Sequence, residues 1–209
     1  KLDFITGALY KALQCTGSLE FRGVQAQVGE VVAWRNLFWS LTDAMYGNAS
    51  EWHGGAFLPS AEALQAYRVL APQAYPEIKK TIEQVVASGL IYLPSGVRDL
   101  HNPQLDKYLS TYCRGSGGMG HRERIKILKL LWDAIGSEFG GRHELYEINY
   151  AGSQDEIRMQ ALRQAIGSGA MKGMLGMVEQ CMGDYDENGW TVPHLHNPDD
   201  INVLDRIRQ

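Results

Sequence analysis

The residues of this chain that could do chemistry fall in two glycine-marked stretches. The first, Arg114-Gly-Ser-Gly-Gly-Met-Gly120, is nearly free of bulky side chains and runs straight into a helical pattern. Backbone N–H groups in such a turn can approach an anion closely, and phosphate is the anion the arrangement predicts. Glycines used as punctuation between two packed helices give the same pattern, so the stretch carries both readings. The second stretch, Asn149-Tyr-Ala-Gly-Ser-Gln154, opens onto Asp155-Glu156-Ile157. Two acids there suit the positive end of a helix dipole, and Ser153 stands at the N-cap position.

The histidines offer less. His194-Leu-His196 with Asp199 and Asp200 could point two imidazoles the same way on an extended segment. No third histidine or cysteine is near, and Pro193 and Asn197-Pro198 predict a turn with local hydrogen bonds instead, so no metal site is expected. His121 and His143 flank the helix between the two stretches without an assigned partner, His143 beside Glu144, and no catalytic acid–base pair is predicted.

The elements that must position these turns are helices. Ile125, Leu128, Leu131, Trp132, Ile135 and Phe139 recur at three- and four-residue steps, one stripe of a helix from Arg122 to Phe139 that Gly140-Gly141 should end. This puts the two turns at the two ends of a single helix. Upstream, Phe4 to Thr16 forms a helical face closed by Gly17, and Val24 to Met45 is apolar on both faces, which predicts a central place in a bundle. Gly47 to Pro59 reads as a loop, Ser60 caps a short helix to about Leu70, and Pro72 to Ser88 forms the next, with Gly89 at its end. Leu90-Ile-Tyr-Leu-Pro94 is the only strand-like stretch, and its proline argues against building a sheet on it. Asn102-Pro103 caps and starts a helix to about Cys113. Two more helices follow the second turn, broken at Gly167-Ser-Gly169; the methionine stripe Met171, Met174 and Met182 in the last is expected to fill core. The predicted domain covers residues 1–183, and 184–209 form an extended tail expected to pack across a neighbouring surface.

Composition bounds the rest. At 209 residues and 44% hydrophobic the chain can bury a core, and its formal charge of −4 offers no footprint for nucleic acid. No apolar run approaches the roughly 20 residues a membrane span needs, so no membrane partner is expected. Cys15, Cys113 and Cys181 are odd in number and scattered, which fits reduced thiols in a cytoplasmic protein better than disulfides or an iron–sulfur cluster. The chain begins Lys-Leu-Asp without an initiator methionine, consistent with a piece of a longer polypeptide.

The run Phe139-Gly-Gly-Arg-His-Glu-Leu-Tyr-Glu-Ile-Asn-Tyr-Ala-Gly-Ser-Gln-Asp-Glu-Ile-Arg158, with Gly189-Trp-Thr-Val-Pro-His-Leu-His-Asn197, closely resembles the C-terminal part of the 4-hydroxyphenylacetate 3-monooxygenase oxygenase family. The resemblance covers nearly the whole chain. More distantly, Gly117-Gly-Met-Gly120 and Tyr150-Ala-Gly-Ser153 resemble the two flavin-contacting turns of the helical domain of acyl-CoA dehydrogenases, and Glu20-Phe-Arg-Gly-Val-Gln-Ala-Gln27 resembles the segment that carries an arginine and a glutamine to FAD across a subunit boundary. The resemblance implies an all-α antiparallel bundle. It implies FAD, reduced by a separate flavin reductase, as cofactor, and oxygen-dependent hydroxylation of a phenol ortho to its hydroxyl. It also implies a dimer or tetramer. Carried over, the flavin contacts are Arg22, Gln27, Arg114, Gly117, Gly118, Gly152, Ser153 and Gln154. Ala151 stands where common acyl-CoA dehydrogenases place a carboxylate base, which weighs against dehydrogenase chemistry. In members of the family it resembles, the groups that hold the phenol lie mainly in the N-terminal and middle domains, which this chain lacks, so by itself it is expected to hydroxylate nothing.

Overall fold

The computed structural model describes residues 1–183, 185–186 and 189–190. Two compact units divide the chain, residues 1–161 and 162–209. In the first, α1 (Leu2–Thr16), α2 (Arg22–Gly47), α3 (Ala61–Val86) and α6 (His121–Ile135) surround one core. Ile5, Leu9 and Leu13 of α1 meet Ile78 and Ile82 of α3 and Leu128, Leu131 and Ile135 of α6 there, all almost fully buried. Each contributes about 1.5–3 kcal/mol of transfer free energy. The predicted ends of α1 and α5 (Pro103–Tyr112) hold: Gly17 is left-handed at φ 76°, and the Asn102 side chain accepts from the Gln104 and Leu105 amides. α4 is a short helix at Ser88–Ile91, so the strand-like stretch begins with two helical residues, Leu90 and Ile91, and forms no strand.

Four expectations are corrected. The helix predicted from Arg122 to Phe139 is two, α6 and α7 (Glu138–Asn149), and Gly140-Gly141 lie inside the second. The break comes at Gly136-Ser137, where the Ser137 hydroxyl caps α7 by accepting from the Gly140 amide at 3.1 Å. Gly140 is needed for packing: a Cβ there would lie 2.9 Å from the Ile135 carbonyl carbon. The two glycine turns are therefore separated by two helices. Conversely, the helices predicted on either side of Leu70 are one, because α3 runs through Pro72 and Pro76. An interior proline costs about 3 kcal/mol; burying Ala74, Tyr75, Ile78 and Ile82 in one core outweighs it. The Gly47 to Pro59 loop contains a two-stranded antiparallel hairpin, β1 (Ser50–Glu51) with β2 (Phe57–Leu58).

The fourth correction concerns apolar faces. α2 packs against α1 and α3 but buries only Val28, Val31 and Phe38, leaving Trp39 and Leu37 exposed, so the described residues do not enclose it. The second unit holds the end of α8 (Gln154–Gly167), α9 (Ala170–Gly183) and an antiparallel hairpin of β3 (Tyr185–Asp186) and β4 (Gly189–Trp190). α9 buries no residue, and Met174 and Met182 are exposed, so the methionine stripe is not core here. The remaining tail residues, including His194, His196, Asp199 and Asp200, lie outside the described residues.

Candidate functional site

The first glycine turn is delivered by α5, whose end buries Cys113 and leaves Arg114 exposed. Within the turn the Gly115 amide donates to the Met119 carbonyl at 2.9 Å, and the Met119 amide to the Ser116 carbonyl at 3.2 Å. Gly117 and Gly118 sit at φ 62° and 83°, conformations glycine adopts without the steric cost other residues meet. A Cβ on either would meet nothing within 4 Å, so this face of the turn is open. The opposite side is not: a Cβ on Gly115 would lie 2.9 Å from Met119 Cβ and 3.1 Å from the Cys15 carbonyl. The turn is pressed onto the end of α1.

A cavity of about 550 Å³ joins Gly117 and Ser116 to Gln14, Gly17, Glu20 and Gln25. Arg22, the first residue of α2, is exposed, and Gln27 is half-buried; neither lines this cavity. Gln25 does, and its side chain donates to the Leu19 carbonyl. Arg114 and Arg22 make no hydrogen bond or ion pair with the described residues, which leaves both guanidinium groups available to an anion.

Behind the turn lies a clamp that sequence reasoning missed. Asp106 Oδ1 meets His121 Nε2 at 2.8 Å and Arg122 Nη2 at 2.9 Å, and Arg122 also donates to the Leu100 carbonyl. His121 and the Arg122 charge hold the Asp106 carboxyl below the usual carboxylate range. Since Asp106 belongs to α5 and His121 opens α6, the clamp fixes both ends of the segment that carries the turn. His143 also has a carboxylate, Glu147 at 3.1 Å, while its sequence neighbour Glu144 pairs with Lys79.

The second turn is built differently. The Gly152 amide donates to the Asn149 carbonyl, Gly152 lies at φ 104°, and Gln154 Nε2 donates to the Ile148 carbonyl at 2.8 Å. Ser153 caps α8 as predicted, accepting from the Glu156 amide at 3.2 Å. Gly152 and Ser153 are exposed and Gln154 half-buried. Arg68 of α3 reaches into this turn, donating to the Ala151 carbonyl at 2.9 Å. No residue of the second turn lines the cavity beside the first. The structure thus groups Gly117 with the start of α2, and Gly152, Ser153 and Gln154 with α3. Among the described residues, no cluster of three His, Cys, Asp or Glu could hold a metal, and no helix is long and apolar enough to cross a membrane.

Comparison with known proteins decides the family. The family model described as 4-hydroxyphenylacetate 3-hydroxylase C terminal matches residues 1–179. The chain belongs to that family. It is 69% identical over 207 residues to the 4-hydroxyphenylacetate 3-monooxygenase oxygenase component of Escherichia coli, covering 99% of this chain and 40% of that protein. It is 47% identical to the oxygenase component of a 4-nitrophenol 2-monooxygenase from a Rhodococcus species, over 98% of this chain and 39% of that one. Its fold is similar to the crystal structure of a 4-hydroxyphenylacetate 3-monooxygenase oxygenase component complexed with FAD and 4-hydroxyphenylacetate, with a TM-score of 0.75 at 26% identity over 86% of this chain and 38% of that chain. An archaeal 4-hydroxybutyryl-CoA dehydratase shares the fold alone, with a TM-score of 0.76 at 15% identity over 100% of this chain and 39% of that one. The chain spans about two fifths of the length of the curated relatives it matches.

Proposed function

We propose that this chain is the helical part of the oxygenase component of a two-component aromatic hydroxylase, acting on 4-hydroxyphenylacetate to give 3,4-dihydroxyphenylacetate. The observation that carries the reading is the 69% identity to the Escherichia coli oxygenase component over nearly the whole chain. Reduced FAD, delivered by a partner flavin reductase, supplies the oxygen-activating chemistry when bound. The residues present fit a dinucleotide: an open-faced turn at Gly117-Gly118 beside an unpaired Arg114 suits a pyrophosphate. Arg22 and Gln27 at the start of α2, and Gly152, Ser153 and Gln154 at the second turn, complete the proposed contacts.

The division of labour follows from what the described residues contain. His121 and His143 are each tied to a carboxylate of a structural pair, and Ala151 offers no proton acceptor at the second turn. This part therefore binds and orients the cofactor and walls off water on one side, while other parts of the intact protein hold the phenol. Among the described residues the exposed apolar groups of α2 and α9 support a homo-oligomer, and the reading extends to a dimer or tetramer in the cytoplasm. Light scattering that finds only monomeric intact protein removes the oligomer. To test the central claim, reduced FAD, oxygen and 4-hydroxyphenylacetate are supplied to the intact protein and to this chain alone. The catechol should form only with the intact protein; comparable turnover by the isolated chain overturns the division, and none with either overturns the substrate.

A further inference from the structure

A second cavity, of about 280 Å³, lies where the start of α1, α2, α3 and Glu147 of α7 meet, and no residue of either glycine turn lines it. The hollow follows from the spacing on α3. Tyr67, Ala71, Ala74 and Ile78 fall at four- and three-residue steps on one helix face, and the two alanines leave room between the larger pair. Phe38 and Trp39 of α2 and Tyr75 of α3 add aromatic walls, with the Phe38 and Tyr67 rings edge to face at 5.0 Å. An apolar cavity of about 150 Å³ already takes a benzene ring, so this one has room for a ring and a small substituent.

The polar lining narrows the ligand. Its charged groups are paired with one another: Arg35 Nε meets Asp3 Oδ1 at 2.6 Å, and Lys1 Nζ meets Glu147 Oε1 at 3.4 Å. An incoming carboxylate would face Asp3 and Glu147, and an incoming ammonium Lys1 and Arg35, so neither finds a free counter-charge. Trp39 Nε1 donates to Asp3 Oδ1 at 3.4 Å, and the Thr42 hydroxyl to the Phe38 carbonyl at 2.7 Å. Tyr75 differs from these. It is 6% exposed, and its hydroxyl is buried without a hydrogen-bond partner among the described residues. Leaving a buried hydroxyl unbonded is costly, and a ligand that bonds it removes that cost. Burial, with the Glu144 and Glu147 charges, pushes the Tyr75 phenol up, so the hydroxyl stays protonated and able to donate.

We propose that this cavity binds a small uncharged phenol, its ring packed among Phe38, Trp39 and Tyr67 and its oxygen hydrogen-bonded to the Tyr75 hydroxyl. Aromatic rings gain from edge-to-face and offset contacts with walls of this kind. 4-Hydroxyphenylacetate carries a carboxylate for which the lining offers no free cation, so the ligand is a neutral phenol and not that acid. The site is independent of the flavin reading, because none of the proposed cofactor contacts lines it.

The test is a fluorine NMR titration of the intact protein with 4-fluorophenol and with fluorobenzene, for wild type, Tyr75→Phe and Ala71→Leu. Wild type should bind 4-fluorophenol more tightly than fluorobenzene. Tyr75→Phe should weaken 4-fluorophenol roughly tenfold and leave fluorobenzene unchanged, and Ala71→Leu, which fills the hollow, should remove a bound signal of each. Either probe held elsewhere on the intact protein gives the same signal in all three proteins, so the differences isolate this cavity. Equal weakening of both probes in Tyr75→Phe, or no weakening, overturns the assignment, as does a wild type with no bound signal. If Ala71→Leu does not fold, the two probes on Tyr75→Phe decide. Benzoate that displaces 4-fluorophenol as well as phenol does overturns the choice of an uncharged ligand.

Discussion

Gly115 to Gly120 is held by its own backbone and by what it is pressed against, whereas Asn149 to Gln154 is held by side chains that reach into it. In the first turn two amide–carbonyl bonds close the loop, and Gly115 leaves no room for a side chain against Met119 and the Cys15 carbonyl. Its outer face, with Gly117, Gly118 and Arg114, makes no contact that the fold needs. In the second turn one amide–carbonyl bond, from Gly152 to Asn149, is joined by side-chain bonds from Arg68, Gln154 and Ser153, and a Cβ on Gly152 would meet nothing within 4 Å. The contrast teaches where binding and stability separate. A turn that locks itself through its backbone can offer every outward group to a ligand, while a turn locked by a cation must share that cation between fold and ligand.

The largest effect should come from the outer face of the first turn. Arg114→Ala in the intact protein is expected to weaken flavin binding by about 1.5–3 kcal/mol, the range for a lost charged hydrogen bond, and to leave the melting temperature unchanged because Arg114 makes no hydrogen bond or ion pair with the described residues. Gly118→Val should weaken binding at least as much by blocking backbone approach. Flavin titration and thermal melts on the same samples check both. Arg114→Ala that lowers Tm without touching affinity would reverse the separation drawn here. Somewhat smaller is the cost of filling the caged side: Gly115→Val should destabilise by about 1–3 kcal/mol through overpacking. Gly152→Ala, with open space around it, should cost only the left-handed backbone, about 1–2 kcal/mol. Denaturant midpoints that rank these two in the opposite order would mean that the second turn is the tighter one.

What was legible in the sequence was whatever short-range rules decide. Asn102-Pro103 starts a helix, Ser60 and Ser153 cap theirs, Gly17 stops α1, and most apolar steps of α1 and α6 mark the core face, although Phe4 and Phe139 are exposed. The misses share one cause, which is contact across the fold. Gly140-Gly141 look like a helix stop, and only the approach of α7 to the Ile135 backbone explains a glycine inside it. Pro72 and Pro76 look like a boundary, and only the buried face of α3 carries the helix through them. The same holds at the candidate site. Both glycine turns and Ser153 could be named from their own residues, but the groups that hold them could not: His121 and Asp106 lie 15 residues apart and Arg68 and Ala151 lie 83 apart, separations at which no spacing rule operates.

The smallest effect predicted, and the one that tests how the first turn is anchored, belongs to Asp106. Its carboxyl lies below the usual carboxylate range in the folded chain because His121 hydrogen-bonds it and the Arg122 charge sits beside it. A group whose folded pKa is lower than its unfolded value adds stability that is complete above the unfolded value and is lost as the pH falls through the folded one. Asp106→Asn keeps an oxygen acceptor facing His121 and Arg122 but removes the charge. At neutral pH the variant should melt below wild type, and the gap should close as the pH falls through the acid side of the carboxylate range. Arg122 retains its bond to the Leu100 carbonyl in the variant, so part of the anchor survives and the fold should persist. Melting curves of both proteins across that range, at one ionic strength, measure the gap directly. A gap that stays constant with pH would show that the anchor is a geometric contact and not an ionic one, and would bring the first turn closer in kind to the second.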